Sequence, residues 1–275
     1  MRKHAWLVVF TVGIILFFAT EGAQVMTGNP NFLPTILLLG SFLIPVVFVI
    51  YFYDHVRHRE ISMPLLSATF IVGGIIGAIT AGILEYDTLR GLGVGTLFGV
   101  GIIEEATKLI FPLIVYIGWH YRHEADGLLF GVSAGMGFAA IETMGYGMVY
   151  LIQSGGNIAG VQQLLITRGL LSPAEHAAWT GFVCAIIWRE REHGHGAVFG
   201  WTVVGAFVVA VVLHALWDVV NNMPTNTAGA LNFVVLANAA LVVTSLSLLI
   251  YRYRKAKESL AKAAKPVPPA VPAHT

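Results

Sequence analysis

Long apolar runs separated by short polar segments make up most of the sequence. A helix that crosses a bilayer needs about 20 mostly apolar residues, each adding about 1.5 Å of length. Such runs recur as far as Tyr251 and predict an all-α, polytopic transmembrane bundle of about eight spans. The predicted spans are 5–20, 33–53, 63–84, 94–119, 127–150, 166–188, 197–220 and 231–251.

The two ends of the chain differ from this central pattern. The first run is short, ends at Glu21 and follows Arg2 and Lys3, so it resembles either a retained span or a cleaved signal peptide. We predict a retained span and a single transmembrane domain over 1–251. The tail over 252–275 is first basic and then proline-rich, which predicts a disordered segment that begins as an anchor to anionic lipid.

The distribution of positive residues predicts the orientation of the spans. If the N-terminus lies inside, most of the 16 lysines and arginines fall on the cytoplasmic side, as the positive-inside rule requires. Both termini are therefore expected in the cytoplasm. The predicted location is the cell (inner) membrane, where the chain is a multi-pass protein in contact with lipid.

Composition excludes several classes of protein. Hydrophobic residues make up 56% of the chain and charged residues 11%, with a net charge of +1. A soluble domain would carry about 25% charged residues. The balance excludes a disordered chain and a strongly basic protein, so no nucleic-acid partner is expected. One cysteine, Cys184, permits neither an internal disulfide nor a cysteine-based metal site.

Glycines recur at every fourth position in two neighbouring spans. Gly127, Gly131 and Gly135 follow one another in the fifth span, and Gly95 and Gly99 do so in the fourth. Such rows of small residues allow the backbones of membrane helices to approach closely. The pattern predicts that the fourth and fifth spans form a tight central pair.

Ionisable residues inside the fourth span mark a candidate site. A charge at the bilayer centre costs about 2.5–3.5 kcal/mol or more, so such residues are commonly functional. Lys108 lies four residues after Glu104 and three after Glu105, so it can reach either carboxylate. The two glutamates point about 100° apart on a helix. A simple ion pair needs only one of them, and the pattern leaves open which one faces a cavity.

Three further spans carry ionisable groups at a similar predicted depth, in the outer half of the bilayer. Glu142 has no cation in its own span, so it must be protonated, face water, bind a metal or meet a partner on another helix. His214 and Asp218 share one helix face, which is typical of a base with its orienting group or of two metal ligands. His176 fits helix packing and ligation equally well, whereas Glu175 is expected at the interface or as a helix cap.

These residues form three motifs that resemble those of a known family. Glu104-Glu105-x-x-Lys108, Phe138-x-x-x-Glu142 and His214-x-x-x-Asp218 resemble the EExxK, FxxxE and HxxxD motifs of the PrsW family of intramembrane proteases. The resemblance covers about 91–222, the expected catalytic core. It is more distant to the CAAX prenyl endopeptidases, whose motifs read EExxxR, FxxxH and HxxxN. Here Lys108, Glu142 and Asp218 depart from that version.

The resemblance implies an intramembrane endopeptidase in which a glutamate activates water. In a metal-dependent version, Zn²⁺ or another divalent ion is held by ligands from the set Glu142, His176, His214 and Asp218, and Glu104 or Glu105 is the base. In a metal-free version, Glu104 deprotonates water and His214 stabilises the oxyanion. Lys108 keeps the other glutamate ionised in both.

The implied substrate is a single-span or membrane-proximal protein, cleaved near the outer half of the bilayer. The resemblance suggests a regulatory membrane protein, such as an anti-sigma factor. Intramembrane Glu, Asp, His and Lys also build proton relays, so an ion-coupled transporter is the main alternative. A third interpretation is a catalytically silent membrane scaffold.

Overall fold

The described part of the chain is helical. A computed structural model describes residues 4–56, 61–88, 95–118, 120–194, 198 and 200–263, and its regular elements are helices, which confirms the predicted all-α class. They are α1 (Ala5–Thr27), a 3₁₀ turn (Pro30–Phe32), α2 (Leu33–Val56), α3 (Met63–Thr88), α4 (Gly95–Lys108), α5 (Ile110–Ile117), α6 (Glu124–Gln153), α7 (Ile158–Leu171), a π-helical turn (Pro173–Ala177), α8 (Ala178–Glu192), α9 (Trp201–Asn221) and α10 (Ala228–Ala263).

Seven helical segments among the described residues are long and apolar enough to cross a membrane. Their number confirms a polytopic helical bundle. The predicted span 94–119 is not one continuous helix, because it is divided at Leu109 into α4 and α5. Pro112 explains the division, since its nitrogen has no hydrogen to donate to the carbonyl of Lys108 and its ring clashes with that carbonyl.

Helix α6 forms the centre of the bundle and packs against α8, α3 and α2. Its glycine row faces α8, where a Cβ on Gly131 would lie 2.6 Å from the Thr180 carbonyl oxygen and 2.6 Å from Cys184 Cβ. The prediction that the fourth and fifth spans form a tight central pair is therefore wrong. The glycine row of the fifth span (α6) contacts α8, and α4 packs mainly on α3 and α9. A glycine row predicts a close contact but does not specify which helix makes it.

The segment 158–165, which the predicted spans leave as a connection between the fifth and sixth spans, is helical. Helix α7 begins at Ile158, about two turns before the predicted start at residue 166. Asn157 caps it, because its Oδ1 accepts a hydrogen bond of 3.1 Å from the amide of Gly160. The following π-helical turn links α7 to α8, so that one span runs over Ile158–Glu192.

The last helix is longer than predicted. Helix α10 continues to Ala263, so residues 252–263 are helical and do not belong to a disordered tail. The proline-rich part of the tail lies outside the described residues, as do the basic pair Arg2 and Lys3. The cytoplasmic orientation of both ends stays a prediction.

Candidate active site

A polar cavity of about 200 Å³ lies between α3, α4, α6, α7, α8 and α9. It gathers ionisable side chains from α3, α4, α6, α7, α9 and the π-helical turn, and α8 contributes Trp179. The carboxylates along its wall are those of Glu85, Glu104, Glu142, Glu175 and Asp218, and the basic groups are those of Arg168, His176 and His214.

On one side of the cavity, Lys108 binds both glutamates of the EExxK motif. Its Nζ lies 3.0 Å from Glu104 Oε2 and 2.8 Å from Glu105 Oε1. Lys108 comes after both glutamates on α4, so its long side chain reaches back to each of them. The ammonium also lies 4.4 Å from the centre of the Phe138 ring and forms a cation–π contact with it. Phe138, the first residue of the FxxxE motif, therefore contacts the EExxK motif directly.

His214 on α9 completes this group, which we call the lysine cluster (Glu104, Glu105, Lys108 and His214). Its Nδ1 lies 2.8 Å from Glu105 Oε1. The ammonium of Lys108 donates to the same oxygen, so we assign Glu105 as the acceptor and Nδ1 as the donor. The other ring nitrogen, Nε2, then lies 3.7 Å from Glu104 Oε2 and 3.6 Å from Asp218 Oδ2. The ring stacks on Trp179, with 5.0 Å between the ring centres.

The two glutamates occupy different environments, which the sequence left open. Glu104 lines the cavity, whereas Glu105 is 1% exposed and does not. Glu105 therefore contacts Lys108 and Nδ1 of His214 from behind the cavity wall, and Glu104 presents its carboxylate to the space in front of it.

A second group, the arginine cluster (Glu142, Arg168, Glu175 and His176), lines the same cavity. Arg168 Nη2 donates to Glu142 Oε2 at 2.7 Å, and His176 Nε2 lies 3.3 Å from the same oxygen. His176 Nε2 is also 3.4 Å from Glu175. The Arg168 guanidinium stacks over Tyr146, 4.3 Å from the ring centre. The sequence left open whether Glu142 is protonated, faces water, binds a metal or meets a partner on another helix. The structure shows the last of these, because Arg168 on α7 binds its carboxylate.

The structure brings all of the predicted site residues to this cavity or its wall. Three further charged residues line the cavity and were not predicted to belong there: Glu85, Arg168 and Glu175. The expectation that Glu175 is an interfacial or capping residue is wrong, because it is buried in the π-helical turn. A π-turn places more residues on one side of a helix, and such turns are common at functional sites. Arg168 already lies inside the predicted span 166–188, so its charge within an apolar run was the available signal.

The donor groups of the cavity suit a divalent cation in kind, since zinc accepts imidazole and carboxylate ligands. The positions of these groups suit a metal ion less well than their chemical type does. Across the described ranges, no three His, Cys, Asp or Glu side chains converge on one point where a metal ion could bind. Glu142 is engaged by Arg168, and His214 Nδ1 by Glu105. Metal binding by the predicted ligands would require some of these side chains to move.

Comparison with known proteins identifies the family. The sequence profile described as PrsW family intramembrane metalloprotease matches residues 62–246, which make up more than half of the chain and include all three motifs. Comparisons with curated proteins and with solved structures give no match. The distant resemblance to the CAAX prenyl endopeptidases stays a prediction. A protease family also favours a hydrolase over the transporter and the silent scaffold. The chain belongs to the PrsW family of intramembrane metalloproteases and is a multi-pass membrane protein.

Proposed function

We propose that this protease hydrolyses a peptide bond of a single-span or membrane-proximal protein, with Glu104 as the base that activates water. One arrangement carries the proposal. His214 is held through Nδ1 by Glu105, which leaves its Nε2 beside Glu104 and Asp218 at the polar cavity. A carboxylate that faces a cavity next to an oriented imidazole is suited to general acid–base chemistry.

In the first step, Glu104 accepts a proton from a water molecule as the water oxygen attacks the carbonyl carbon of the scissile bond. The carbonyl π electrons move to oxygen, which becomes the oxyanion of a tetrahedral intermediate. His214 in its protonated form donates from Nε2 to this oxyanion, and Glu105 and Lys108 fix the ring that does so. Oriented donors of this kind need little rearrangement during the reaction.

In the second step, the carbonyl re-forms and the carbon–nitrogen bond breaks. The proton that Glu104 took from water passes to the departing nitrogen, so the products are a carboxylic acid and an amine. The net reaction consumes one water molecule, and Glu104 returns to its carboxylate form.

The arginine cluster is proposed to position the substrate. Arg168 is 27% exposed and presents donors at the cavity, while Glu142 and Glu175 present acceptors. An extended peptide offers both donors and acceptors along its backbone, so this cluster can bind it in the cavity that Glu104 also lines.

A divalent cation, which the family description implies, would act as a Lewis acid on the carbonyl oxygen and would lower the pKa of bound water. The proposed ligands come from Glu142, His176, His214 and Asp218, and zinc is the proposed metal. Loss of stoichiometric zinc in His214→Ala and Glu142→Gln variants, measured by elemental analysis, would support this set. Full activity after rigorous metal removal would exclude a metal requirement.

The substrate proposal follows from the depth of the motif residues along their spans. They lie at or just outside the predicted midplane, which favours cleavage in the outer half of the bilayer. The family resemblance, not the depth, suggests a regulatory, anti-sigma-factor-like substrate. Mass spectrometry of the cleavage products would locate the scissile bond. A bond at the cytoplasmic end of the substrate span would contradict the proposed depth.

The test of the catalytic roles is a comparison of Glu104→Gln and Glu105→Gln in proteoliposomes with a single-span substrate that the wild type cleaves. Glu104→Gln should reduce the rate of cleavage by about 10²- to 10⁴-fold, as loss of a general base does. Glu21→Gln is the matched control, since Glu21 is a buried glutamate on α1 that does not line the cavity.

Two outcomes separate the roles of the glutamates. If Glu104 is the base, Glu104→Gln retains wild-type binding of substrate, and Glu105→Gln changes the pH profile of cleavage because His214 loses its partner. Cleavage by Glu104→Gln at the rate of the Glu21→Gln control would exclude the proposed base.

A further inference from the structure

A second polar cavity lies at the end of the bundle where α6 begins and α8 ends. Its volume is about 390 Å³, and it shares no lining residue with the candidate active site. Helix α10 forms one wall with Arg252, Lys255 and Lys262, and α8 contributes Arg189 to the opposite side.

The lining of this cavity is cationic. Four guanidinium or ammonium groups face two carboxylates, those of Glu124 and Glu258. Arg252 is 5% exposed and forms an ion pair with Glu124, yet its buried Nε has no hydrogen-bond partner among the described residues. The two carboxylates offset two of the four cations, so the lining keeps a net positive charge.

The cavity lies where the chain is expected to leave the membrane. Helix α10 has 36 residues and is about 54 Å long, whereas the hydrocarbon core of a bilayer is about 30 Å thick. The apolar part of the helix ends at Tyr251, which lines the cavity and is 54% exposed. Tyrosine is enriched at the boundary between the hydrocarbon and the headgroups. The predicted orientation makes this boundary the cytoplasmic one.

We propose that this cavity binds the phosphate group of an anionic phospholipid headgroup. Guanidinium groups bind phosphate oxygens through paired hydrogen bonds, and lysines add point charges. A lipid is favoured over free phosphate because the cavity opens beside Tyr251 at the expected level of the headgroups, where anionic lipid is concentrated.

The test measures lipid binding to the purified full-length protein in detergent by native mass spectrometry, with phosphatidylglycerol and phosphatidylcholine titrated in parallel. The cavity variant is Arg189→Gln with Lys255→Gln. Arg252 is left intact because its buried pair with Glu124 supports the fold. The control variant is Arg254→Gln with Lys257→Gln, which removes the same charge from the same end of α10 but outside the cavity.

The wild type should bind the first phosphatidylglycerol molecule more tightly than further phosphatidylglycerol molecules. It should also bind that first molecule more tightly than any phosphatidylcholine molecule. The cavity variant should weaken that first binding event by about tenfold or more, since each basic residue near the headgroups contributes about 1 kcal/mol. The control variant should change it by less than about twofold. Equal losses in the two variants, or no loss in either, would overturn the proposal.

Inorganic phosphate separates the two sources of the phosphate group. It should displace the first phosphatidylglycerol weakly, because it lacks the acyl chains that hold a lipid at the boundary. Displacement of that lipid at micromolar inorganic phosphate would overturn the assignment to a headgroup and would identify a site for free phosphate.

Discussion

The two charged clusters at the cavity differ in how firmly their ion pairs are enclosed. In the lysine cluster, the side chains of Lys108 and Glu105 are 0% and 1% exposed, and each bonds to two members of the group. In the arginine cluster, the side chains of Arg168 and Glu142 are 27% and 19% exposed. The pair Lys108–Glu105 is therefore part of the helix packing, whereas the pair Arg168–Glu142 lies at the edge of the cavity.

This difference assigns different tasks to the two clusters. Groups that must act on the reacting atoms have to be held in one geometry, and a fully buried lysine with two carboxylates achieves this. Groups that must accept a substrate have to exchange existing contacts for new ones, which partly exposed side chains can do at lower cost.

The largest effect is expected from Lys108→Met. This change leaves Glu104 and Glu105 without their cation in a buried position, and breaking a buried ion pair costs about 3–5 kcal/mol. The variant should show a strongly reduced yield of folded protein and no cleavage. Unfolding in mixed detergent micelles measures the loss of stability. Wild-type stability would show that the lysine cluster does not support the fold.

A smaller effect is expected from Arg168→Gln. The substitution removes a charged hydrogen bond of 2.7 Å to Glu142, which is worth about 1.5–3 kcal/mol, but His176 still contacts that carboxylate. The protein should fold, and its KM for substrate should rise more than its kcat falls. Arg168→Lys should restore part of the KM. A loss confined to kcat would place Arg168 with the reacting groups and contradict the division between the clusters.

The positions of helices could be predicted from the sequence where they depend only on the residues of the helix itself. The ends of α2 and α9 lie close to their predicted positions, because long apolar runs bounded by polar residues define a span. The prediction of one continuous span over 94–119 missed a local signal, because Pro112 within that run breaks the helix at Leu109. The partner of the Gly127–Gly135 row, by contrast, depends on which helix packs beside α6, and one span does not reveal that.

The site was predicted from residues that are costly to bury, so the lysine cluster and Glu142 were found. Arg168 and Glu85 were missed because each lies near the end of its predicted span, where a charge costs little. The structure places both at the cavity, and Glu85 Oε1 is buried there without a hydrogen-bond partner among the described residues. The division of Glu104 and Glu105 between cavity and wall depends on the position of His214 on α9, which one sequence does not reveal.

The contact between α6 and α8 keeps the arginine cluster together, and Gly131→Ala tests it. The added Cβ would lie 2.6 Å from the Thr180 carbonyl, so the helices must separate at a cost of about 1–3 kcal/mol. Cleavage should fall because Glu142 lies on α6, whereas His176 lies in the π-helical turn that leads directly into α8. Gly145→Ala is the control, since a Cβ there meets no atom within 4 Å. Equal effects of the two substitutions would show that the contact tolerates a methyl group.

The smallest effect is expected from Tyr146→Leu, which removes the ring under the Arg168 guanidinium but keeps an apolar side chain. A cation–π contact at a partly exposed site is worth about 0.5–1 kcal/mol. The KM should therefore rise by less than about fivefold, in the same direction as for Arg168→Gln, and kcat should stay unchanged. Tyr146→Phe should retain the wild-type KM, because it keeps the ring. If Tyr146→Leu lowers kcat as strongly as Glu104→Gln does, the arginine cluster takes part in the chemical step, and the two clusters do not have separate tasks.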